Sequence, residues 1–143
     1  MAHVARRGEL VDVLAHPVVV AWQEGAVVAV LSYDIARTDC EILTLHTARQ
    51  WSGLGSRLIA DAAELAAAAG CRRLWLVTTN DNVDALRFYQ RRGFRLADLR
   101  CGAVDDARRG LKPTIAQRGA YGIPIRDEIE LIAELPLTAP ARY

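Results

Sequence analysis

The residues best suited to bind a ligand form the segment 50–56, which reads Gln-Trp-Ser-Gly-Leu-Gly-Ser. It follows an extended apolar run and precedes an alanine-rich helical run. Glycines at 53 and 55 let the backbone approach a ligand closely. The free N–H groups and the positive dipole end of a first helical turn attract anions. The segment therefore predicts a site for a phosphate-bearing ligand, although such a glycine pair is more commonly only a tight turn.

A second motif lies at 82–94 and reads Asn-Val-Asp-Ala-Leu-Arg-Phe-Tyr-Gln-Arg-Arg-Gly-Phe. Asn82 is suited to cap the start of a helix, and Gly93 is suited to end it. The phenol of Tyr89 is protonated at neutral pH, with an ordinary pKa of about 10, so it can act as a proton donor. The other interpretation of Tyr89 is a core aromatic residue whose hydroxyl finds a local partner.

Together, Gln-x-x-Gly-x-Gly and, about thirty residues later, Asn-x-x-Ala-x-x-Phe-Tyr-x-x-x-Gly-Phe resemble the GNAT superfamily of N-acetyltransferases. The resemblance covers residues 41–101. It implies acetyl-CoA as co-substrate, with its pantetheine arm between two central parallel strands that splay apart. The residues that it places at the cofactor are Leu45, His46, Thr47, Gln50, Trp51, Ser52, Gly53, Leu54, Gly55, Ser56, Asn82, Ala85, Phe88 and Tyr89.

The resemblance also implies catalytic roles, with Tyr89 as the general acid that protonates the leaving sulfur. A primary amine, with a pKa of about 10.4 for lysine, arrives mostly as ammonium and needs a base. Glu41 is the candidate base, and His46 is the second candidate. Asp34 and Asp39 would give the mouth of the site a negative field that favours a cationic amine. The alternative for Glu41 is a solvated strand residue.

The sequence departs from the family pattern at two places. Ser52 stands where many members carry arginine, so Arg49 or Arg57 is expected to supply the missing phosphate-directed charge. The segment before residue 18 is too short for the helical pair that often covers the acceptor pocket. We therefore expect the 102–124 segment or a second subunit to complete that pocket, which makes a homodimer one expected form.

The elements that must position these residues follow from the apolar pattern. Segments 18–23 and 26–33 predict an antiparallel hairpin, and 40–47 predicts the next strand. Apolar positions at helical spacing predict a helix from Gly53 to about residue 69 that ends at Gly70, followed by a buried strand at 74–77 parallel to the strand before the helix. A helix at 83–92, a strand at 94–101 and an antiparallel partner strand at 128–135 complete the set. Residues 1–16 show little pattern beyond a short strand or turn around 10–14, and 102–124 predicts a long irregular loop.

Composition narrows the class of protein. The chain has 143 residues and a net charge of +1, with charges of both signs interspersed, so we expect one domain, 1–143, that binds no nucleic acid. No apolar run approaches the roughly 20 residues of a membrane span, and no secretory signal is apparent, so a cytoplasmic protein is expected. Cys40, Cys71 and Cys101 lie far apart, and neither they nor the three histidines have metal-ligand spacing. We expect no metal.

The predicted fold is α/β of the mixed α+β kind: a mostly antiparallel sheet with a central splayed parallel pair and helices on both faces. The predicted function is acetyl-CoA-dependent transfer of an acetyl group directly to a primary amine of a small molecule, peptide or protein. The alternative is a non-catalytic acyl-CoA-binding sensor or regulatory module. An ATP-binding module is disfavoured because no Lys-Ser/Thr pair follows the glycines.

Overall fold

The computed structural model describes residues 3–49 and 52–137. A small hairpin comes first, formed by β1 (His3–Arg6) and β2 (Glu9–Asp12), which pair only with each other. The remaining helices and strands are β3 (Val18–Gln23), β4 (Ala26–Ala36), β5 (Asp39–Thr47), α1 (Leu54–Ala68), β6 (Arg73–Thr79), α2 (Val83–Arg91), β7 (Arg95–Arg100), α3 (Ala103–Gly110) and β8 (Glu128–Glu134). Short 3₁₀ turns occupy Val13–Ala15 and Ala120–Gly122.

The six strands β3 to β8 form one sheet in the order β3-β4-β5-β6-β8-β7. Strands β5 and β6 are parallel, because α1 carries the chain back across the sheet between them, and every other neighbouring pair is antiparallel. This arrangement confirms the predicted fold class. It also confirms the predicted antiparallel pairing of the last strand with the strand that follows Phe94.

The parallel pair separates soon after it begins. Its register is Asp39 with Arg73, Cys40 with Leu74 and Glu41 with Trp75. Beyond these three pairs, β5 and β6 no longer pair with each other. On the other side of β5, Ser32 lies opposite Thr44 while Tyr33 lies opposite Ile42, so Leu43 is an extra residue. Such a bulge bends and twists its strand, which turns β5 away from β6. The predicted splaying is therefore confirmed.

The core lies between the sheet and one face of α1. Leu58, Ile59, Ala62 and Ala66 of this helix are buried against sheet residues that include Leu31, Leu74, Leu76 and Leu131. Alanines at the contact let the helix lie close to the sheet. Gly70, at φ +89°, ends the helical region as predicted, because an L-residue with a side chain rarely adopts this conformation.

The prediction of a long irregular loop at 102–124 is wrong. Its first part forms α3, which has Asp105 and Asp106 in its first turn and Arg108 and Arg109 in its last. These charges complement the helix dipole and pair at i,i+3, as Asp105 does with Arg108 at 2.7 Å. In the described part of the chain, no helix has the length and apolarity that crossing a membrane requires.

Candidate functional site

The separated ends of β5 and β6 form the walls of a cavity of about 560 Å³. Its base lies just beyond the last parallel pair, Glu41 with Trp75. The cavity extends to the N-terminus of α1 and to one side of α2. Its lining residues are Ile42, Leu43, Thr44, Leu45, Thr47, Arg49, Ser52, Gly53, Gly55, Ser56, Leu76, Val77, Thr78, Asn82, Asp84, Ala85, Phe88, Tyr89 and Arg92.

The N-terminus of α1 is open to the cavity. Gly53 is the N-cap in the left-handed conformation, at φ +84°, and as glycine it has no side chain to cap the helix. The Leu54 N–H donates weakly to Ser52 Oγ at 3.4 Å. Ser52 donates its hydroxyl proton to the Arg49 carbonyl at 2.7 Å, which closes the turn before the helix. The first helical turn contains no acidic residue. Its backbone N–H groups, including those of Gly55 and Ser56, are therefore suited to bind an anion.

Gly55 has a packing role that the sequence did not reveal. A Cβ atom on Gly55 would lie 3.0 Å from Cζ and 3.3 Å from Cε1 of the Phe88 ring. A side chain at residue 55 would therefore require the Phe88 ring to move by a few tenths of an ångström. Phe88 in turn forms part of the cavity wall.

Arg92 links the two helices and brings a positive charge into the cavity. Its Nε donates to Ser56 Oγ at 2.7 Å, and its Nη1 donates to the Phe88 carbonyl at 2.8 Å. The guanidinium lies 3.7 Å from the centre of the Phe88 ring, within cation–π distance. Burial lowers the pKa of Arg92 from its ordinary value. Arginine nevertheless remains protonated in proteins, so the cavity retains this cation.

Asn82 joins α2 to the end of β6. Its Oδ1 accepts from the Ala85 N–H at 3.2 Å, and its Nδ2 donates to Thr78 Oγ1 at 3.2 Å. Asn82 is thus the N-cap that the sequence predicts, and it also lines the cavity. The N-cap role is therefore confirmed, and contact with the cofactor stays a prediction.

Tyr89 is both a core residue and a cavity residue. It is 7% exposed, and its ring packs edge-on against Phe88 and Phe94 at centroid distances of 5.0 and 5.3 Å. Burial raises the pKa of its hydroxyl well above the ordinary value, because the phenolate would be poorly solvated there. The hydroxyl therefore keeps its proton at any physiological pH.

Comparison with known proteins decides the family. Residues 5–94 match the model of the Acetyltransferase (GNAT) family. An uncharacterized protein of Bacillus subtilis, YdhI, is 43% identical over 107 residues, which span 75% of this chain and 66% of that protein.

The chain belongs to the GNAT family of acetyltransferases.

Solved structures agree with this assignment. The IAA acetyltransferase from Bacillus cereus is 30% identical, with a TM-score of 0.71 over 81% of this chain and 75% of that one. A GNAT family acetyltransferase from Elizabethkingia anophelis, solved with acetyl-CoA bound, is 24% identical, with a TM-score of 0.71 over 81% and 74% of the two chains. At that identity the second comparison shows the fold alone.

Most of the residues that the GNAT resemblance places at the cofactor line the cavity. These residues are Leu45, Thr47, Ser52, Gly53, Gly55, Ser56, Asn82, Ala85, Phe88 and Tyr89. Two others do not line it, since His46 is exposed and Leu54 packs against the core. Gln50 and Trp51 lie outside the described residues. Of the two arginines considered for the charge missing at Ser52, Arg49 lines the cavity, whereas Arg57 points to solvent near Asp61.

Glu41 lies beside the base of the cavity and is not one of its lining residues. It is 3% exposed, so the alternative of a solvated strand residue is wrong. Its two carboxylate oxygens accept from Arg6, from Nε at 2.8 Å and from Nη2 at 2.6 Å. Glu41 could accept a proton from an amine only after Arg6 had moved away.

The two aspartates expected at the mouth lie elsewhere. Asp39 Oδ1 is 3.3 Å from Arg73 Nε, and Asp34 Oδ1 is 3.5 Å from His16 Nδ1. Neither aspartate lines the cavity. Asp39 precedes the point where β5 and β6 separate, and Asp34 lies on the adjacent strand β4. The negative field that they were expected to provide is therefore not at this opening.

Several lining residues were not predicted, and they come from the facing sides of the separated strands. They are Ile42, Leu43, Thr44, Leu76, Val77 and Thr78, together with Asp84 and Arg92 on α2 and its end. Once the strands were expected to splay, positions facing the gap could have been found by following each strand past the last paired residue. Arg92 could have been predicted as a cavity residue, because it follows Tyr89 by three residues and so lies on the same side of the helix.

The cysteines are not placed for covalent catalysis. Neither Cys40 nor Cys71 lines the cavity, and both are buried. Burial raises the pKa of the Cys40 thiol to about 12, so it is not a thiolate at neutral pH. Between residues 3 and 49 and between 52 and 137, no three His, Cys, Asp or Glu side chains are grouped as a metal site would require.

Proposed function

We propose that this protein is an acetyl-CoA-dependent N-acetyltransferase that transfers the acetyl group directly to an amine. The observation that carries this proposal is the cavity between β5 and β6. It opens where their pairing stops after Glu41 and Trp75, and it reaches the N-terminus of α1, where the N-cap Gly53 has no side chain. An elongated ligand with an extended amide-containing arm and a diphosphate has complementary chemistry.

The residues present fit acetyl-CoA. Beyond Glu41, the side of β5 that faces the cavity has backbone N–H and C=O groups that β6 does not pair, so they are available to the amides of a pantetheine arm. Arg49, Arg92 and the first-turn N–H groups of α1 would hold the phosphates. Bound acetyl-CoA would supply an activated acetyl group as a thioester.

Tyr89 would serve as the proton donor. In the overall transfer the amine nitrogen forms a bond to the acetyl carbon, the carbon–sulfur bond breaks, and the sulfur takes a proton. Tyr89 lines the cavity and is protonated at neutral pH, so it is available to donate a proton as the carbon–sulfur bond breaks and negative charge develops on the sulfur. The proton that the amine loses then restores the phenol through solvent. With Cys40 buried as a thiol, direct attack by the amine is the route that this site supports.

The amine would lose its proton at the side of the cavity where Glu41 lies. Glu41 immediately precedes Ile42, the first lining residue of β5, so its carboxylate is near the base of the gap. We keep Glu41 as the candidate base for the state in which Arg6 has been displaced. His46 is less well placed, since it is exposed and does not line the cavity.

The test is thiol release from acetyl-CoA across a panel of amines, with calorimetry of acetyl-CoA binding. The unaltered chain should bind acetyl-CoA and turn over at least one amine. Tyr89→Phe should lower kcat by about 10²- to 10⁴-fold, the usual contribution of a positioned acid, while acetyl-CoA affinity stays the same. Tyr33→Phe, on β4 and away from the cavity lining, is the matched control and should retain activity.

Two results would count against the proposal. If acetyl-CoA does not bind, both the enzyme and the acyl-CoA sensor are excluded. If acetyl-CoA binds but no amine in the panel causes thiol release, the non-catalytic sensor becomes the better interpretation.

A further inference from the structure

The face of the sheet opposite α1 contains three buried carboxylates. Glu41 and Glu128 are each 3% exposed, and Glu130 is 9% exposed. Glu41 of β5 lies opposite Trp75 of β6, and Val77 of β6 lies opposite Glu130 of β8. Because side chains alternate along a strand, these residues share the face that Leu74 and Leu76 do not use. We call Glu41, Glu128, Glu130 and the Trp75 ring the acidic face.

The hairpin β1–β2 places two guanidinium groups on the acidic face. Arg6 pairs with both oxygens of Glu41. Arg7 donates from Nε to Glu130 Oε1 at 2.8 Å and from its backbone N to Glu128 Oε1 at 3.2 Å. Its guanidinium also lies 3.8 Å from the centre of the Trp75 ring. The Glu130 carboxylate and the Trp75 indole around this planar cation form a site suited to guanidinium, while Glu128 holds the Arg7 backbone.

The main sheet supplies only part of the charge that the acidic face needs. Arg100 of β7 donates to Glu128 at 2.9 Å and to Glu130 at 3.2 Å. Without Arg6 and Arg7, Glu128 and Glu130 would share Arg100, and Glu41 would lose the arginine that pairs with it, so two negative charges would be uncompensated. Buried unpaired charge is strongly unfavourable, so the acidic face requires cations from outside the sheet.

Ion pairs and hydrogen bonds attach the hairpin to the rest of the protein. None of its residues belongs to the buried apolar core, and its strands do not pair with the six-stranded sheet. Besides the arginine contacts, Lys112 Nζ donates to the His3 carbonyl at 3.0 Å. A two-stranded hairpin is at best marginally stable by itself. A ligand that offers the same cations can therefore compete with it.

The acidic face adjoins the cavity where acetyl transfer would occur. Glu41 belongs to the last parallel pair, and Val77, opposite Glu130, lines the cavity. Glu41 and Glu130 lie on strands separated by β6 and are offset by two residues along it, so their backbones are roughly 12 Å apart. A ligand spanning the two positions would hold one cationic group at the base of the gap and another over Trp75.

We propose that the acidic face recognises a basic peptide acceptor, with a guanidinium in the place of Arg7 and the amine to be acetylated in the place of Arg6. The placement of the acetylated amine at Arg6 rests on the proposed acetyl transfer, whereas the placement of the guanidinium at Arg7 does not. The hairpin is the resident ligand, and a peptide that carries an arginine close to a lysine is the incoming one. Displacement of Arg6 also frees the carboxylate of Glu41.

The test uses the full chain with Arg6→Gln and Arg7→Gln, so that the resident cations are absent. The control pair, Arg57→Gln and Arg109→Gln, removes the same charge from exposed positions. The probes are a capped Gly-Arg-Lys-Gly peptide and its citrulline analogue, which is a neutral isostere of the arginine form. Thermal unfolding is followed at low salt without acetyl-CoA, so the measurement does not depend on catalysis.

The arginine peptide should raise the Tm of the hairpin variant by about 4 °C at tenfold excess over Kd. The citrulline peptide should shift it much less, and adding Glu130→Gln should remove the difference. Equal shifts for both peptides, or an equal shift in the control pair, would overturn the inference. If the double variant does not fold, Arg7→Gln alone is compared with Arg109→Gln by the same measurement, with the same outcomes expected.

Turnover separates this inference from the proposed function. If the arginine peptide binds but neither it nor any other amine of the panel is acetylated, the binding surface is retained and the acetyltransferase proposal fails. If other amines are acetylated but the bound arginine peptide is not, the placement of the acetylated amine at Arg6 is overturned. If amines are acetylated with no preference for the arginine peptide over the citrulline peptide, the proposed function is retained and the recognition of guanidinium is overturned.

Discussion

At the scale of single residues, Arg92 is the side chain whose function most needs testing. It lines the cavity beside the first turn of α1 and donates to Ser56 Oγ. If it contacts a cofactor phosphate, Arg92→Gln should weaken acetyl-CoA binding about tenfold or more, since charge-assisted hydrogen bonds contribute about 1.5–3 kcal/mol. Arg92→Lys should be intermediate, because it keeps the charge without the planar fork.

Calorimetry at two salt concentrations checks this prediction. The salt dependence of acetyl-CoA affinity should be smaller in Arg92→Gln, because one cation–phosphate contact has been removed. Arg57→Gln is the control, because Arg57 does not line the cavity. An unchanged Kd in a folded Arg92→Gln protein would show that this residue only joins the helices.

Gly55 tests how tightly the two helices must approach each other. In Gly55→Ala the new methyl group would meet the Phe88 ring at 3.0 Å, so the ring must shift. The expected cost is about 1–3 kcal/mol of folding free energy, as for other overpacked contacts, measured by urea unfolding. Combining it with Phe88→Leu should cost less than the sum of the two single changes, since the clash is shared. Strict additivity would contradict the contact.

The residue types in the sequence pointed to many of the cavity residues but not to their environments. The glycine turn and the Asn82, Phe88 and Tyr89 motif could be identified because glycine, helix caps and aromatic pairs have strong local requirements. The ion pair between Glu41 and Arg6 could not, since it joins positions 35 residues apart and depends on how the hairpin packs. Exposure of Glu41 was expected from its residue type, and tertiary pairing reversed it.

At the scale of elements, the strands and the two helices near the cavity followed from periodicity, whereas α3 did not. Glycines and prolines scattered through 102–124 suggested one loop. However, residues 103–109 contain no glycine or proline, and they form α3 together with Gly110. The remainder of the segment is irregular but fixed. Asn80 Oδ1 accepts from the N–H groups of Arg126 and Asp127 at 2.9 and 3.0 Å, and Asn80 Nδ2 donates to the Pro124 carbonyl at 2.9 Å.

Gly119 gives this segment a sharp test. Asp81 is buried and accepts from Thr79 Oγ1 at 2.5 Å and from the Ala120 N–H at 3.0 Å. A Cβ atom on Gly119 would overlap the Asp81 carboxylate, so Gly119→Ala should break these contacts. The expected loss is about 2–4 kcal/mol, in the range for disrupting a buried hydrogen-bond network.

Gly110→Ala is the matched control for that change, because a Cβ there meets nothing within 4 Å. Its urea midpoint should equal or slightly exceed that of the unaltered chain, since alanine favours helix. A Gly119→Ala protein as stable as the Gly110→Ala protein would mean that the segment can move away from Asp81 at little cost.

At the scale of the whole molecule, function depends on an asymmetry within one sheet. Strand β6 pairs with β8 along its whole length, from Arg73 with Glu134 to Thr79 with Glu128. On its other side it pairs with β5 over only three residues. The continuous ladder keeps β6 in place while the interrupted one leaves a gap. Sequence predicted this parallel pair, but its exact extent depends on the bulge at Leu43, which has no local signature.

This asymmetry predicts a defined pattern of hydrogen exchange on binding acetyl-CoA. Amides of β5 after Glu41 and of the first turn of α1 should exchange more slowly with ligand, because the pantetheine arm and the phosphates would take up their free N–H groups. Amides in the β6–β8 ladder should change little, since both strands are already paired there. Free coenzyme A should give the same protection, because it retains the arm and the phosphates. Protection confined to the β6–β8 ladder, or spread evenly over the sheet, would place the ligand outside the gap between β5 and β6, and the proposed mode of binding would then be wrong.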